Sequence, residues 1–348
     1  MKNRKALAIV CYALILVLAI SLAGCQAKKP EKTEPTEMPK YVDPCEALLP
    51  QVEDGYYYHD MPKKYERECE NGGTLELVTY TSYDSEGSEV EDHAFVYLPN
   101  GYDQNDTAKK YNVFYMSHGG GGDYYSMFYK GAEWRNGKEV PTIFKNVLDN
   151  MIANGDIEPM IVVTPTYTLS SPEYYQQNCF VQCLLPAIEG KYNTYAESTD
   201  EAGLKASRDH RAFGGYSMGC GNCWYNFQYN LEYVKWFMPM SGVYLNAQDT
   251  AITSDVCDML VQVVKDAGFT AKDFYICAST GGPKLDNAYD HLVIFYPELA
   301  KRADTFVYTN DFHTGNLHVD FSEKNAHGDV PYGVYHIYNN LPRFFQNY

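Results

Sequence analysis

The sequence predicts an α/β fold, a mostly parallel central sheet covered by helices on both faces. Three observations carry this. Apolar runs of four to six residues alternate with longer stretches whose apolar positions recur at helical spacing. Such short continuous runs are what strands buried on both faces look like. No internal repeat is present, which sets solenoids and propellers aside. A chain of 348 residues accommodates one large domain plus tails, because single cores stop growing near ~250–300 residues.

The elements follow in order. Leu75–Tyr83 and Ala94–Leu98 read as strands around an acidic turn from Asp84 to Asp92. Val113–Ser117 is a short strand running into the glycine run His118-Gly119-Gly120-Gly121-Gly122. A helix is expected from Pro141 to Ala153, with proline at its start, Ile143, Val147, Leu148 and Met151 on one face, and Asn154-Gly155 as its stop. Then come a strand at Met160–Thr164, helical residues 173–193, a strand at Arg211–Gly215 and a helix at Cys220–Tyr229. Phe237–Met240, Phe274–Ala278 and Thr305–Tyr308 read as further strands, with helices at 254–267, 289–302 and 330–346.

Composition narrows the function. At 45% hydrophobic residues the chain is ordinary globular material, neither disordered nor fibrous. Its 45 acidic against 28 basic residues give a formal charge of -17, which repels phosphate backbones and excludes nucleic acid as a partner. The 33 tyrosines are the compositional outlier. A phenol ring suits sugar or aromatic ligands, and it also packs well in strands.

The first residues read as an export signal. Lys2, Arg4 and Lys5 precede an apolar run from Ala6 to about Ala23, which ends in Leu22-Ala23-Gly24-Cys25. This looks like a bacterial lipoprotein signal at 1–24, with cleavage before Cys25 and lipidation of that thiol; the alternative is an uncleaved transmembrane helix. Both place the domain outside the cytoplasm at a membrane surface. Loss of the signal takes the charge from -17 to -20. Residues 25–44 hold the lipidated cysteine and a linker rich in Pro, Lys and Glu. The catalytic domain is expected over 45–348, with 45–74 as an N-terminal extension. Cys45, Cys69, Cys179, Cys183, Cys220, Cys223, Cys257 and Cys277 then remain, an even number that permits disulfides. A Cys45–Cys69 bridge would tie the extension down. Zinc at Cys179/Cys183 and Cys220/Cys223 is disfavoured, because no histidine partners them at finger spacing.

The chemistry centres on Gly215-Tyr216-Ser217-Met218-Gly219, a G-x-S-x-G pattern between a strand and a helix. A nucleophile there sits on a very tight turn, and the glycines remove side chains that would collide. The helix that follows points its positive end at the site. An ester hydrolase also needs two backbone N–H groups aimed at the oxyanion; Met218 and Gly120 are the candidates. A phosphate-cradling role for the glycine run is weak, since no Gly-Lys-Ser/Thr follows. His118 reads as structural. The chain order of this architecture is Ser, Asp, His. Asp286 lies in the loop after Phe274–Ala278, with Asp290 as the alternative acid or a first-turn helix residue. Among His313, His318, His327 and His336, His327 lies in a loop directly before the last helix; His318 reads as part of a strand and His336 as interior to that helix. His327 would take the proton of Ser217, and Asp286 would orient the imidazole.

With these residues in view, the chain resembles the feruloyl esterase and esterase D family, carbohydrate esterase family one. The resemblance rests on Val96 to Tyr102 (VYLPNGY), Tyr115 to Gly120 (YMSHGG), Asn150 to Pro165 (NMIANGDIEPMIVVTP) and Arg211 to Gly219 (RAFGGYSMG), and spans about 70–348. It implies an α/β-hydrolase fold, a Ser-His-Asp triad, no metal or cofactor, and acylated plant polysaccharide such as feruloylated or acetylated arabinoxylan as substrate. Three features depart from the family. Cys220 stands where a second glycine is common after S-M-G. Asn325-Ala326 precede the histidine, and Tyr332 stands five residues after it where Trp is common. Tyr332, Tyr124, Tyr125, Tyr167 and Trp224 are the candidates to line the substrate pocket. Two other readings stand beside the esterase: an acyltransferase of the mycolyltransferase type, and a glycan-binding lipoprotein on a hydrolase scaffold without catalysis.

Overall fold

The computed structural model describes residues 58–167, 170–245, 250–322, 324–327 and 330–348. The expected signal, Cys25, the linker and Cys45 lie outside the described residues. An eight-stranded sheet runs in the order β1-β2-β4-β3-β5-β6-β7-β8. Its strands are β1 (Thr74–Tyr83), β2 (Glu89–Leu98), β3 (Asn112–Ser117), β4 (Met160–Pro165), β5 (Arg211–Tyr216), β6 (Trp236–Met240), β7 (Tyr275–Gly281) and β8 (Leu317–Ser322). Strand β2 pairs antiparallel with both β1 and β4; from β4 to β8 the pairing is parallel. All residues of β4 to β8 are buried, which explains the apolar runs read in β4 to β7. At the edge, β1 alternates buried and exposed positions in its second half, as a strand with one wet face does.

Nine helices are described: α1 (Gly131–Arg135), α2 (Phe144–Asn154), α3 (Pro172–Asn178), α4 (Leu185–Glu189), α5 (Glu201–Ala206), α6 (Met218–Asn230), α7 (Thr250–Asp266), α8 (Tyr289–Ala300) and α9 (Val330–Asn340). Helix α2 ends where Gly155 adopts φ 75°, the left-handed stop that its sequence announces. Three expectations need correction. The helix expected over 173–193 is broken: α3 passes into a π-turn at Phe180–Leu184 before α4. Pro186, which has no N–H and clashes with a carbonyl one turn back, sits in the first turn of α4. Thr305–Tyr308 is no strand of the sheet. Only Tyr308 bridges Leu317, and the edge strand is β8, where buried His318 and Asp320 interrupt the apolar pattern. The last helix stops at Asn340 rather than 346, because Pro342 follows and Leu341–Arg343 tighten into a 3-10 turn.

Below the sheet centre, Arg211 at the start of β5 is 1% exposed. Its guanidinium grips Glu189 with Nε–Oε1 2.5 Å and Nη2–Oε2 2.8 Å, and donates to the carbonyls of Leu204 and Tyr233. Tyr115 donates a further bond to Glu189. A bidentate pair this buried is held because every donor has a partner, and removing one half strands the other. Glu189→Ala is expected to lower unfolding free energy by about 3–5 kcal/mol. Urea denaturation of wild type and variant measures it.

Candidate active site

The parallel strands deliver their carboxyl ends to one edge of the sheet, where ligands of open α/β sheets bind. The loops after β3, β5, β7 and β8 meet there. At the end of β5 the chain turns straight into α6, and the space at this bend is tight. A Cβ on Gly215 would fall 1.8 Å from the Gly219 carbonyl oxygen, and one on Gly219 would fall 2.5 Å from that of Ser117. Ser217 sits between them at φ 59°, ψ -118°, outside the ordinary wells, as the residue capping α6. Its N–H is tied to the Met240 carbonyl at 2.9 Å.

Ser217 Oγ lies 2.8 Å from His327 Nε2. On the other side of the ring, His327 Nδ1 lies 2.8 Å from Asp286 Oδ1. The two loops that carry these residues are clamped to each other by backbone bonds. The His327 N–H donates to the Leu285 carbonyl at 3.1 Å, and the Gly282 N–H donates to that of Asn325 at 3.1 Å. The ring of Tyr216 packs against His327 with centroids 5.4 Å apart.

Asp286 is 2% exposed. Burial works against its ionisation. The hydrogen bond from His327 and those from the N–H groups of Gly281 and Ala288 outweigh burial and hold the carboxyl well below the usual range. Thr280 donates one more bond, at 2.9 Å. Asp290, the alternative acid, is an exposed residue in the first turn of α8. His313 is exposed; His318 is buried in β8 with Nε2 2.7 Å from Asp320.

Met218 opens α6, so its N–H has no partner within the helix. Gly120 lies directly across from it, since a Cβ there would touch Met218 Sδ at 2.8 Å. Both border a cavity of about 1050 Å³ that also contains Ser217 and His327. That volume is at the upper end for small-molecule sites. Its far wall is Met127, Tyr129, Pro141, Thr142 and Ile143, with Lys130 and Asn146 as polar members.

The expected aromatic lining is placed differently. Trp224 is in the core among Phe227, Phe295 and Tyr296, because its helix face turns toward α8. Tyr124 stacks on His93 and Tyr125 on Trp134, and neither lines the cavity. Tyr167 is buried against the His118 ring, centroids 4.3 Å apart. The side chain of Tyr332, on α9, lies outside the described ones. The wall residues that sequence reading missed, Asn146 on α2 apart, sit on the connection from His118 to Ile143. That stretch is far longer than the roughly 2–6 residues of an ordinary βα loop, which was the available signal.

His118 Nδ1 is 2.8 Å from the Gly119 carbonyl oxygen, and burial pushes the ring's pKa down. Among the described residues no group of His, Cys, Asp or Glu side chains could hold a metal ion, and no two cysteines are bridged. The proposed Cys45–Cys69 bridge falls outside this comparison because Cys45 is not among them.

No family model matches the chain. It is 35% identical over 296 residues to endo-1,4-beta-xylanase Y of Acetivibrio thermocellus, an alignment covering 84% of this chain and 25% of that protein. The chain thus spans about a quarter of the length of the curated relative it matches. Among solved structures it is similar to a serine-to-alanine mutant of the feruloyl esterase module from Clostridium thermocellum, complexed with sinapinate. Identity is 34% and the TM-score 0.74, with 85% of this chain and 96% of that one covered. A CE1 ferulic acid esterase from Anaeromyces mucronatus shares the fold at 17% identity and a TM-score of 0.55, over 84% and 98% of the two chains.

Behind the site, His336 on α9 is fully buried, and burial pushes its pKa down to about 4, against weaker opposing pulls from Asp286 and Asp320. In the unfolded chain the same ring protonates near pH ~6.5. Between those values the unfolded state takes up a proton that the folded state refuses. Stability therefore falls as pH drops through this window, by about 1.4 kcal/mol per pH unit from this group, and is fully retained above it. Urea midpoints at pH 7 and pH 5 for wild type and His336→Phe are expected to show a shallower acid loss in the variant; equal losses mean that the ring is not held neutral.

Proposed function

The chain belongs to the feruloyl esterases of carbohydrate esterase family one, a family of serine carboxylic-ester hydrolases, and from that premise we propose that it removes hydroxycinnamoyl groups from plant cell-wall polysaccharide. In this reading Ser217 is the nucleophile, His327 the general base and Asp286 the residue that orients and stabilises the imidazolium. The observation that carries it is the hydrogen-bonded row from Ser217 Oγ through His327 to Asp286, each contact 2.8 Å, opening on the cavity.

His327 takes the hydroxyl proton as Ser217 attacks the ester carbonyl. Negative charge then develops on the carbonyl oxygen. The N–H groups of Met218 and Gly120 receive it, helped by the positive end of α6. Collapse of the intermediate expels the sugar hydroxyl, which recovers its proton from His327. Water activated by the same imidazole then releases the acid and restores Ser217. The ionised Asp286 is needed at both proton transfers. An apolar lining of Met127, Tyr129, Pro141 and Ile143 in a cavity of about 1050 Å³ suits an aromatic acyl group better than acetyl. The sinapinate bound to the Clostridium thermocellum module agrees with an aromatic acid at such a site.

The signal-like start supports export and attachment to lipid through Cys25, with the Pro- and Lys/Glu-rich linker holding the domain off the surface.

Ser217→Ala is expected to lower kcat on methyl ferulate by about 10³-fold or more, and Asp286→Asn by a comparable factor through loss of the correct imidazole orientation. A fluorophosphonate probe should label wild type and not Ser217→Ala. Equal turnover by wild type and Ser217→Ala, or no labelling of wild type, removes Ser217 from the role. For the anchor, Cys25→Ala in the exporting host is expected to abolish incorporation of labelled fatty acid into the protein; undiminished incorporation rules the anchor out.

A further inference from the structure

Underneath the site runs a row of buried amides that the proposed mechanism does not use. Asn222, Asn226 and Asn230 recur every four residues on α6, so they share one face of that helix. All are 4% exposed or less, and Gln176 on α3 opposite them is 1% exposed. Asn226 and Asn230 donate to Gln176 Oε1 at 2.7 and 3.0 Å. Gln176 Nε2 donates to Asn222 Oδ1 at 2.8 Å, and Asn222 Nδ2 donates to Ser117 Oγ at 2.8 Å. Ser117 is followed directly by His118, whose carbonyl accepts a bond from the Tyr167 phenol at 2.8 Å. The donors follow one direction along the row, and bonds aligned in this way polarise one another.

The two ends of the row matter. One is α6, whose first residue is Met218. The other is the peptide that leads into the glycine run containing Gly120. The row therefore spans the two segments from which the oxyanion donors come. Direct packing alone fixes their closest approach, with Gly219 against the carbonyl oxygens of Ser117 and His118. The hydrogen bonds add direction, because a carbonyl held by Tyr167 sets the plane of the His118–Gly119 peptide. Stability gives no reason for such a row. Buried amides cost desolvation, and Asn226 Oδ1 has no partner among the described residues. An apolar face on α6 would pack as well.

We propose that the row Asn226/Asn230–Gln176–Asn222–Ser117, together with the Tyr167 bond to the next carbonyl, that of His118, is a positioning device that fixes the glycine loop relative to α6, and so sets the spacing of the two oxyanion N–H groups. This rests on the assignment of Ser217, Met218 and Gly120 to the reaction. Tyr167 is then a positioning residue rather than a pocket wall. Misplacing a donor weakens only the interaction that forms as charge develops, so the loss falls on kcat and not on KM.

The test uses Tyr167→Phe, which deletes one hydroxyl and keeps the ring stack, and Asn222→Leu, which deletes the central amide. Both are expected to lower kcat on methyl ferulate about tenfold or more with KM within twofold. Both should weaken binding of an arylboronic acid, which forms a tetrahedral adduct on the serine, by a similar factor, while ferulate binds unchanged. Tyr192→Phe is the control: it deletes a hydroxyl bonded to Glu76 on β1 at 2.7 Å, on a residue outside the row and the cavity lining, and should lower Tm without moving kcat. If Tyr167→Phe lowers Tm but keeps the wild-type kcat and boronate affinity, the positioning role is overturned. If Asn222→Leu does not fold, Tyr167→Phe decides alone. If Ser217→Ala remains active, it is the underlying assignment that fails, which is a separate result.

Discussion

The bend at Ser217 is the constraint on which the site depends. A serine at φ 59° is a costly conformation, and it persists only where the surroundings leave no other. Here the surroundings do so. The Ser217 N–H is taken by β6 through Met240, the Cys220 N–H by Ser217 itself at 2.8 Å, and the flanking glycines meet backbone on both sides. The chain cannot relax without breaking the β5–β6 register or lifting α6 from the sheet. Because β5 is central and fully buried, that would expose apolar surface across the core.

In the role proposed for Ser217, a rigid hydroxyl is useful only if the imidazole is equally fixed, and His327 lies on a loop. Its position comes from a neighbouring loop rather than from a regular element. The backbone bonds between Gly282 and Asn325 and between Leu285 and His327 make the two loops one unit. Asp286 is the hinge of that unit: its carboxylate collects N–H groups from Gly281 and Ala288 and presents the remaining lone pair to His327. Those fixed donors keep the carboxylate charged despite burial, so that in the proposed mechanism it stabilises a cation on the ring without competing for its proton.

The sequence makes parts of this legible and hides others for physical reasons. The strand, G-x-S-x-G and helix succession is readable because a tight bend imposes its residues locally. Asp286 and His327 are readable only through chain order, since their contact joins positions 41 apart that share no local pattern. The cavity wall is not readable: a long connection carries it, and which of its side chains face inward depends on tertiary packing. Trp224 shows the same limit from the other side. A large aromatic beside the nucleophile looks like a ligand platform, but its position on α6 turns it into the core. The full extent of the edge strand is hidden, although His318 reads as part of a strand, because His318 and Asp320 partner each other inside the protein and their polarity says nothing about exposure.

The surplus of tyrosine has an explanation that its ligand-binding reputation does not supply. With 45 acidic and 28 basic residues, many carboxylates have no cation to pair with. Phenol hydroxyls take that place at Asp156 and Glu173, and at Asp149, Glu189 and Glu76 they add a second donor beside Lys145, Arg211 and Lys191. Tyr65 donates to Asp156, Tyr97 to Asp149, Tyr115 to Glu189, Tyr192 to Glu76 and Tyr229 to Glu173, all between 2.6 and 2.9 Å. Each contact neutralises no charge, yet it satisfies a carboxylate oxygen with a donor that brings its own apolar ring into the core. The tyrosines register this in their acidity: burial, reinforced by the adjoining Glu173, pushes Tyr229 up to about 12, and burial with Asp149 raises Tyr97 further still. A lysine in the same place would need to shed a strongly hydrated ammonium, whereas a phenol needs only one hydrogen bond. Strong net acidity and a well-packed interior are therefore compatible in this chain, and most of its tyrosine can be spent on structure rather than on substrate.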